Sequence, residues 1–306
     1  MSVLAIIAAL VVEQWRPLGE RKGVSATLGA WAGLLERSFN GGQRDHGIVA
    51  WLVAVLPPVA LAIVLYGVLS AAGWVFALAF DIAVLYLTLG FRQFSHYFTD
   101  IQVAIKSGDV DRARALLEEW RGASGVVRTR EEVVRLSIEE AIIAAHRHVF
   151  GVLLWYLILP GPSGAILYRL AAYLATRWRH LGAFGRFAQQ AFHVLEWPAV
   201  RLTAAAFALV GDFENAVDCW RTQARSWPDP DAGVLLAAGA GAMGVRLGMP
   251  VQEVEGAQPR PELGVGEEAD GPFLDTTVGM LWRALVLWVA VLAGMAMVAY
   301  SSRVWA

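Results

Sequence analysis

Residues 48–73 read IVAWLVAVLPPVALAIVLYGVLSAAG, and this run contains no charged side chain. About 20 mostly apolar residues are enough for a helix to cross a bilayer, so the run is long enough to span one. Pro57 and Pro58 lie near its middle and remove two backbone donors. We therefore expect a membrane-spanning segment with a kink, or with two half-helices, at the prolines.

The composition of the whole chain agrees with a membrane protein. Of its 306 residues 57% are hydrophobic and 17% charged, whereas soluble domains are about half apolar and about a quarter charged. The formal net charge of −2 lacks the basic excess of nucleic-acid-binding proteins, so we expect no nucleic-acid partner. The single cysteine, Cys219, excludes a disulfide framework or a multi-cysteine metal cluster and is interpreted as a packing residue. The first residues lack the basic region and cleavage site of a secretory signal.

Other apolar segments extend this prediction. Residues 74–90 follow the first span almost without a loop, so the two should form a hairpin, and residues 277–300 form a last span with tryptophans suited to the interface. Residues 150–175 are apolar but are divided by PGPSG and flanked by arginines on both sides, which favours a re-entrant hairpin. We predict an all-α polytopic membrane protein with about four to five membrane-embedded segments, one of them re-entrant.

The distribution of lysine and arginine predicts the orientation. Residues 13–47 and 92–148 are rich in both, which places them in the cytoplasm of a multi-pass protein of the bacterial inner membrane. Most polar segments would then be cytoplasmic. The predicted division is N-terminal membrane segments in 1–90, cytoplasmic helices in 91–148, hairpin and amphipathic helices in 149–251, a flexible Gly/Pro/Glu-rich linker in 252–276, and a C-terminal transmembrane helix in 277–306.

A glycine motif lies in LLAAGAGAMGVRLGMP, residues 235–250. Gly239, Gly241 and Gly244 have the G-x-G-x-x-G spacing of a dinucleotide loop. That loop needs a preceding strand and a suitably placed acidic residue, whereas DAGVLLAA before the glycines has helical character. We interpret the glycines as small residues that allow close helix packing. The P-loop pattern GxxxxGK[ST] does not occur in the sequence.

Two stretches resemble each other. GDVDRARALLEEWR from Gly108 and GDFENAVDCWRTQA from Gly211 both begin with Gly-Asp and continue with an acidic first turn, alanine and Trp-Arg. We interpret them as two similar helix starts rather than as a duplicated domain.

Four stretches, taken in order, resemble the CobD/CbiB family, the adenosylcobinamide-phosphate synthases of cobalamin biosynthesis. GAMGVRLGMP from Gly241 is similar to the family's GALGVRLGGP, and WYLILPGPSGAILYRLAAYL from Trp155 is similar to FWxxLGGPPGALxYRAxNTL. AIKSGDVDRARALLEEW from Ala104 resembles its helix after a Gly-Asp turn, and VRLTAAAFALVG from Val200 resembles its ARL helix. The resemblance runs through most of the chain and implies an amide ligation that uses ATP and magnesium.

Several acidic residues of the synthase motifs are replaced. Where the family has VGRDT the chain has WRGASGVV, and where it has VExxAENxxDG the chain has IEEAIIAAHRHVFG, which keeps only Glu139. The DD pair before the ARL helix is Phe192-His193. Magnesium prefers carboxylate oxygens, so we expect no synthase activity. ATP and magnesium are expected only if the chain is synthase-like, with Glu139 as its catalytic acid.

A second branch of this superfamily matches other stretches. FHVLEWPAVRLTAAAFALVGDFENAVDCW from Phe192 is similar to HVLDWVPVRLxGxxYALIG of AmpE, the inner-membrane protein associated with β-lactamase induction, and VVEQWRPLGER from Val11 resembles its xFERxxKLGEH. We therefore predict an AmpE-like regulatory or accessory protein with a degenerate pocket for a small anionic ligand. A cobalamin-biosynthesis amide ligase and a structural subunit of a membrane complex are the alternatives. The expected partners are the lipid bilayer and either another membrane protein or a second copy of the chain.

The AmpE-like stretch supplies candidate ligand-binding residues. His193 and Trp197 lie four residues apart on a helix, as do Trp197 and Arg201, so one face is polar and aromatic. Arg201 and Arg169 could bind the phosphate or carboxylate of an anionic ligand, with Glu196 in the same stretch. The alternative is an aromatic-arginine anchor at the membrane interface.

Acidic residues in apolar surroundings form a second group of candidates. Asp81 lies in the middle of a span and Glu13 ends the first apolar segment, and intramembrane acids are costly enough to suggest a function. Asp81 could instead pair with Arg283, and Glu13 could lie at the interface. Glu139 and His146 are seven residues apart and share a helix face, which makes them a weak metal or proton-transfer pair. The alternative is an interfacial helix.

Overall fold

The computed structural model describes residues 2–15, 22–122, 129–253, 256–258 and 260–304, and helices dominate it. Gly19 and Glu20, which carry part of the AmpE resemblance, lie outside the described residues, as do residues 123–128. The α-helices are α1 (Ser2–Trp15), α2 (Lys22–Phe39), α3 (Arg44–Ala72), α4 (Trp74–Thr88), α5 (Phe91–Lys106), α6 (Val110–Arg121), α7 (Arg130–Ala145), α8 (Gly151–Ile158), α9 (Ser163–Arg177), α10 (Ala183–Val210), α11 (Phe213–Gln223), α12 (Pro230–Met243) and α13 (Gly271–Val304).

The chain forms two compact units. The first comprises Met1–Gly90 and Arg147–Pro198, and the second comprises Phe91–His146 and Ala199–Ala306. This division differs from the predicted segments, because each unit combines helices that are distant in the sequence. Helix α10 contributes residues to both units.

Three helical runs are long and apolar enough to cross a membrane: Arg44–Ala72, Arg130–Ile158 and Gly271–Met295. Val3–Glu13 and Trp74–Thr88 are shorter apolar helices. The prediction of a helical membrane protein is confirmed, while the number of spans and the re-entrant segment stay predictions. The run Arg130–Ile158 includes α7, which the sequence predicts to be cytoplasmic, and the location of α7 stays a prediction.

The first hairpin forms as predicted, but its prolines do not divide it. Helix α3 continues through Pro57 and Pro58, so the two half-helices do not occur. Prolines are tolerated in membrane helices where neighbouring groups satisfy the freed carbonyls. Gly73, with φ 153°, ends α3 and immediately begins α4, and the two helices pack together.

The segment PGPSG forms the turn between α8 and α9. Gly164 lies directly against the backbone carbonyl of Trp155, and Gly151 lies against the ring of Tyr168. Neither position has space for a β-carbon, so these two glycines allow the helices of this hairpin to approach closely.

The glycine motif of residues 235–250 belongs to helix packing, as predicted. Gly239 lies in α12 against the side chains of Ile142 and Met280, and Gly241 lies against the backbone of Asn215. Gly244 ends the helix in the left-handed conformation, with φ 67°. These glycines therefore do not form a nucleotide-binding loop that follows a strand.

Short strands occupy the segment after α12, where the sequence analysis expects a flexible linker and no strand. They are β1 (Val245–Gly248), β2 (Val251–Glu253), β3 (Gly256–Gln258), β4 (Glu262–Gly264) and β5 (Glu267–Glu268). Strand β1 pairs antiparallel with β4 and parallel with β5, while β2 and β3 form an antiparallel pair. Helix α13 then begins at Gly271, earlier than the predicted residue 277.

The two Gly-Asp stretches are similar helix starts, as predicted. The Asp109 carboxylate accepts from the backbone N–H of Arg112 at 3.0 Å, and the Asp212 carboxylate accepts from that of Asn215 at 3.0 Å. Each aspartate therefore caps its helix, α6 or α11. Cys219 in α11 is fully buried, and burial raises the pKa of its thiol, which agrees with a packing role.

Candidate functional site: an arginine-lined cavity

The candidate residues of the first unit have separate partners. Glu196 is buried and accepts from Arg147 Nε at 3.1 Å, while Arg169 Nη1 lies 3.2 Å from His148 Nδ1. His193 and Trp197 are exposed. Their assignment to one ligand pocket stays a prediction.

Asp81 is buried in α4, and its Oδ2 accepts from the Tyr156 hydroxyl at 3.1 Å. The alternative partner, Arg283, donates from Nε to the carbonyl of Gly279 in its own helix at 3.2 Å. Glu13 is also buried, on α1, which packs against α4.

Glu139 and His146, which the sequence predicts as a pair, contact different residues. Glu139 Oε1 accepts from the backbone N–H of Gly248 at 2.8 Å, and its Oε2 accepts from Arg260. His146 Nδ1 lies 3.0 Å from Thr203 Oγ1. Among the described residues, no group of three or more His, Cys, Asp and Glu side chains could hold a metal ion.

A cavity of about 410 Å³ lies in the second unit. Helix α10 contributes Arg201, and α11 and α12 form further walls with the short 3-10 turn Ala224–Ser226 between them. Its lining is Arg201, Trp220, Arg221, Ala224, Arg225, Pro230 and Val234. These described lining residues include three arginines and no acidic side chain, so the cavity has the charge to attract an anion.

Local sequence explains how α11 and α12 form this wall. Asp229 caps α12 by accepting from the backbone N–H groups of Asp231 at 3.1 Å and Ala232 at 3.4 Å, and Pro230 occupies the start of the helix. Gly233 lies directly against the carbonyl of Ala224, an approach that a side chain would prevent. The turn and the first residues of α12 are thereby held close together.

The three arginines differ in their surroundings. Arg201 lies 3.6 Å from Asp231, whose side chain is 4% exposed, so the guanidinium is anchored to the wall. Arg221 and Arg225 are exposed at the mouth. Guanidinium groups bind phosphate and carboxylate in a planar, bidentate geometry, and pockets for small ligands begin at about 300 Å³. The cavity can therefore bind a small anionic molecule.

Sequence reasoning found Arg201 but missed Arg221 and Arg225. The signal that could have found them is their spacing: they are four residues apart in RTQAR, so a helical turn brings both to one side. Arg201 lies near Arg221 and Arg225 only because α10 packs beside them. The local sequence does not reveal this packing.

These features define a helical membrane protein with a cationic cavity. The family model described as CobD/Cbib protein matches residues 6–280. The chain therefore belongs to the CobD/CbiB family.

Curated relatives agree with this membership. The chain is 34% identical over 301 residues to the cobalamin biosynthesis protein CobD of Stutzerimonas stutzeri strain A1501, covering 95% of this chain and 97% of the relative. It is 35% identical over 215 residues to the CobD of Chromobacterium violaceum, covering 68% of each chain. It is 33% identical over 208 residues to the CobD of Mycobacterium tuberculosis strain H37Rv, covering 64% and 63%. No solved structure matches the chain.

The prediction of an AmpE-like regulatory protein is wrong. The matching relatives are named for cobalamin biosynthesis, and one of them aligns over almost the whole chain. The AmpE resemblance rested on short stretches whose apolar residues pack in helices, and a part of its N-terminal stretch lies outside the described residues. The family resemblance extends along the full length of the chain although several acids of the family's motifs are replaced.

Proposed function

We propose that the chain acts in cobalamin biosynthesis as an amide ligase of the adenosylcobinamide-phosphate synthase type. Such a ligase joins the amine of aminopropanol phosphate to the free carboxyl group of adenosylcobyric acid, and ATP hydrolysis drives the condensation. The observation that carries the proposal is the arginine-lined cavity, because one of the two substrates is a small phosphate ester. Family membership supports the pathway.

In this proposal each cavity residue has a role in binding. Arg201, oriented by Asp231, would hold the phosphate from the wall, and Arg221 and Arg225 would contact it from the mouth. Trp220 provides an aromatic surface for the short carbon chain. The amine of the substrate would then extend from the cavity toward the carboxyl group.

Magnesium does not fit the described acids as a set of carboxylate ligands. In the part of the chain that the structure describes, no group of three or more His, Cys, Asp and Glu side chains could hold a metal ion, and three of the buried acids each lie beside an arginine. These pairs are Glu139 with Arg260, Glu196 with Arg147, and Asp231 with Arg201.

We also propose that the protein is a multi-pass protein of the inner membrane with most polar segments in the cytoplasm, where ATP is available. The support is the distribution of lysine and arginine and the outward-facing apolar side chains of α3, such as Leu61 and Val64. Lipid would cover that surface. A second copy of the chain or another membrane protein is a further proposed partner.

Changing Arg221 to glutamine tests the function and the cavity together. With adenosylcobyric acid, aminopropanol phosphate, ATP and magnesium, the purified protein in detergent should form the amide product. Arg221→Gln should raise the KM for aminopropanol phosphate by about tenfold, because one charge-assisted hydrogen bond is lost. Arg112→Gln, the same change at an exposed position of α6, should leave the KM unchanged.

Two outcomes would count against the proposal in different ways. Absence of product, while the Stutzerimonas stutzeri relative forms it in a parallel reaction, would exclude the ligase function. Product formation with the same KM in Arg221→Gln and the unchanged protein would retain the function and reject the cavity as the phosphate site.

A further inference from the structure

A second pair of arginines lies inside the second unit, around the end of β1. Arg135 on α7 is 8% exposed, and the Arg260 side chain, just before β4, is 10% exposed. Arg260 contacts Glu139, and its guanidinium lies 4.8 Å from the ring centre of Trp227. Glu139 contacts Arg260 and lies one helical turn after Arg135, and the charges of Glu132 and Glu268 also act on Arg135.

Some N–H donors of these two guanidinium groups have no hydrogen-bond acceptor. Within the described part of the chain, Arg135 Nε and Arg260 Nη1 are buried and have no hydrogen-bond partner. Arg135 Nη1 donates to Met249 Sδ at 3.2 Å, and a thioether is a weak acceptor. Buried donors are normally satisfied because an unsatisfied one is costly, so these two groups can accommodate an added anion.

A third arginine and its acidic partners lie in the same region. Arg246 on β1 pairs with Glu262 at 3.5 Å and with Glu268 at 3.3 Å. These two acids thus already contact a third arginine. With Glu139, the acids of this region are at least as many as its three arginines, so the two unsatisfied guanidinium donors, and not a net positive charge, mark the site.

The backbone beside these arginines is held in an unusual conformation. Met249 has φ 68°, which a residue with a side chain rarely adopts, and Gly248 precedes it with φ 82°. Glu139 fixes this turn through the N–H of Gly248 while it also contacts Arg260. Such backbone conformations concentrate at ligand sites, where surrounding contacts maintain them.

We propose that Arg135 and Arg260 bind the carboxylate of the acid substrate, in an anion site separate from the phosphate-binding cavity. The inference rests on the proposed function, in which one substrate carries a phosphate and the other a carboxyl group. Two guanidinium groups suit a carboxylate because its two oxygens can each accept from one of them. Glu139 positions Arg260 and the turn at Gly248.

Trp227 connects the two sites within the unit. It directly follows the turn Ala224–Ser226, whose residues Ala224 and Arg225 line the cavity, and its ring contacts Arg260. Gly248 lies against the same ring. One buried side chain thus directly follows a turn of the cavity wall and contacts one of the two arginines proposed to bind the carboxylate.

Binding measurements on the full chain in detergent separate the two sites. The visible absorbance of adenosylcobyric acid reports its binding in equilibrium dialysis, and calorimetry reports that of aminopropanol phosphate. Arg135→Gln and Arg260→Gln should each raise the Kd for adenosylcobyric acid by about tenfold or more and change that for aminopropanol phosphate less than about twofold. Arg221→Gln should do the reverse. Arg130→Gln, an exposed position on α7, is the matched control and should alter neither.

A second measurement needs no variant and guards against misfolding of the altered proteins. The same corrinoid with its free carboxyl converted to a primary amide should bind the unchanged protein about tenfold more weakly or worse. Equal binding of acid and amide would overturn the inference, as would equal weakening of both substrates by Arg135→Gln. If the unchanged protein forms product but only the carboxylate assignment fails, the ligase function stands; if it binds neither substrate, both proposals fall.

Discussion

Replacing Gly164 with alanine should destabilise the first unit by about 1–3 kcal/mol, because the new methyl group has no space. Gly164, the second residue of α9, lies directly against the backbone carbonyl of Trp155 on α8. A backbone carbonyl cannot rotate away as a flexible side chain can, so the two helices of the hairpin would have to separate. Thermal unfolding in detergent, followed by circular dichroism, should show a lower melting temperature.

Gly67→Ala is the matched control for this change. Gly67 lies in a helix of the same unit, and a β-carbon there meets nothing within 4 Å. Alanine has the higher helix propensity, so this variant should be neutral or stabilised by up to about 1 kcal/mol. Equal melting temperatures for Gly164→Ala and Gly67→Ala would show that the close approach of α8 and α9 is not needed for stability.

Replacing Glu139 with alanine should cost about 3–5 kcal/mol of stability, the usual effect of removing one partner from a buried ion pair. Glu139 is 4% exposed, and its loss leaves Arg260 as a buried cation without the carboxylate that it contacts. The N–H of Gly248 also loses its acceptor. Glu139→Gln should be affected less, since an amide oxygen can still accept that hydrogen bond. Chemical denaturation in detergent measures the difference.

This change also separates a structural role of Glu139 from a catalytic one. Glu131→Ala, an exposed position in the first turn of α7, is the control and should cost less than about 1 kcal/mol. A catalytic carboxylate would instead give a Glu139→Gln protein of unchanged stability that forms no amide product. That result would return Glu139 to the role of catalytic acid and contradict its assignment as a positioning residue.

The sequence predicts the features of this fold that depend on local chemistry. The absence of charge in residues 48–73, the capping aspartates Asp109 and Asp212, and the small residues of α12 all act within one helix or its nearest neighbours. The strands after α12 were not predicted, because elements of two to four residues are too short to show an alternating pattern. Their pairing brings Arg246 beside Glu262 and Glu268.

The candidate site was predicted only in part, for a related reason. Arg201 is a candidate for anion binding from its place in a polar and aromatic helix stretch and from the family resemblance, and that role stays a prediction. Its partner Asp231 and its neighbours Arg221 and Arg225 come from different elements, and only tertiary packing brings them together. Glu139, Glu196 and Asp231 each contact an arginine, and these pairings join different elements that the local sequence does not bring together.

The pairing of acids with arginines constrains how this protein can evolve. A mutation that removes only the acid or only the arginine of a buried pair leaves an uncompensated charge, so single steps at these positions pass through a poorly folded intermediate. A change that replaces both partners, or exchanges their signs, avoids that intermediate. Glu139 and Arg260, and Asp231 and Arg201, should therefore behave as epistatic units whose members tolerate substitution together and resist it separately.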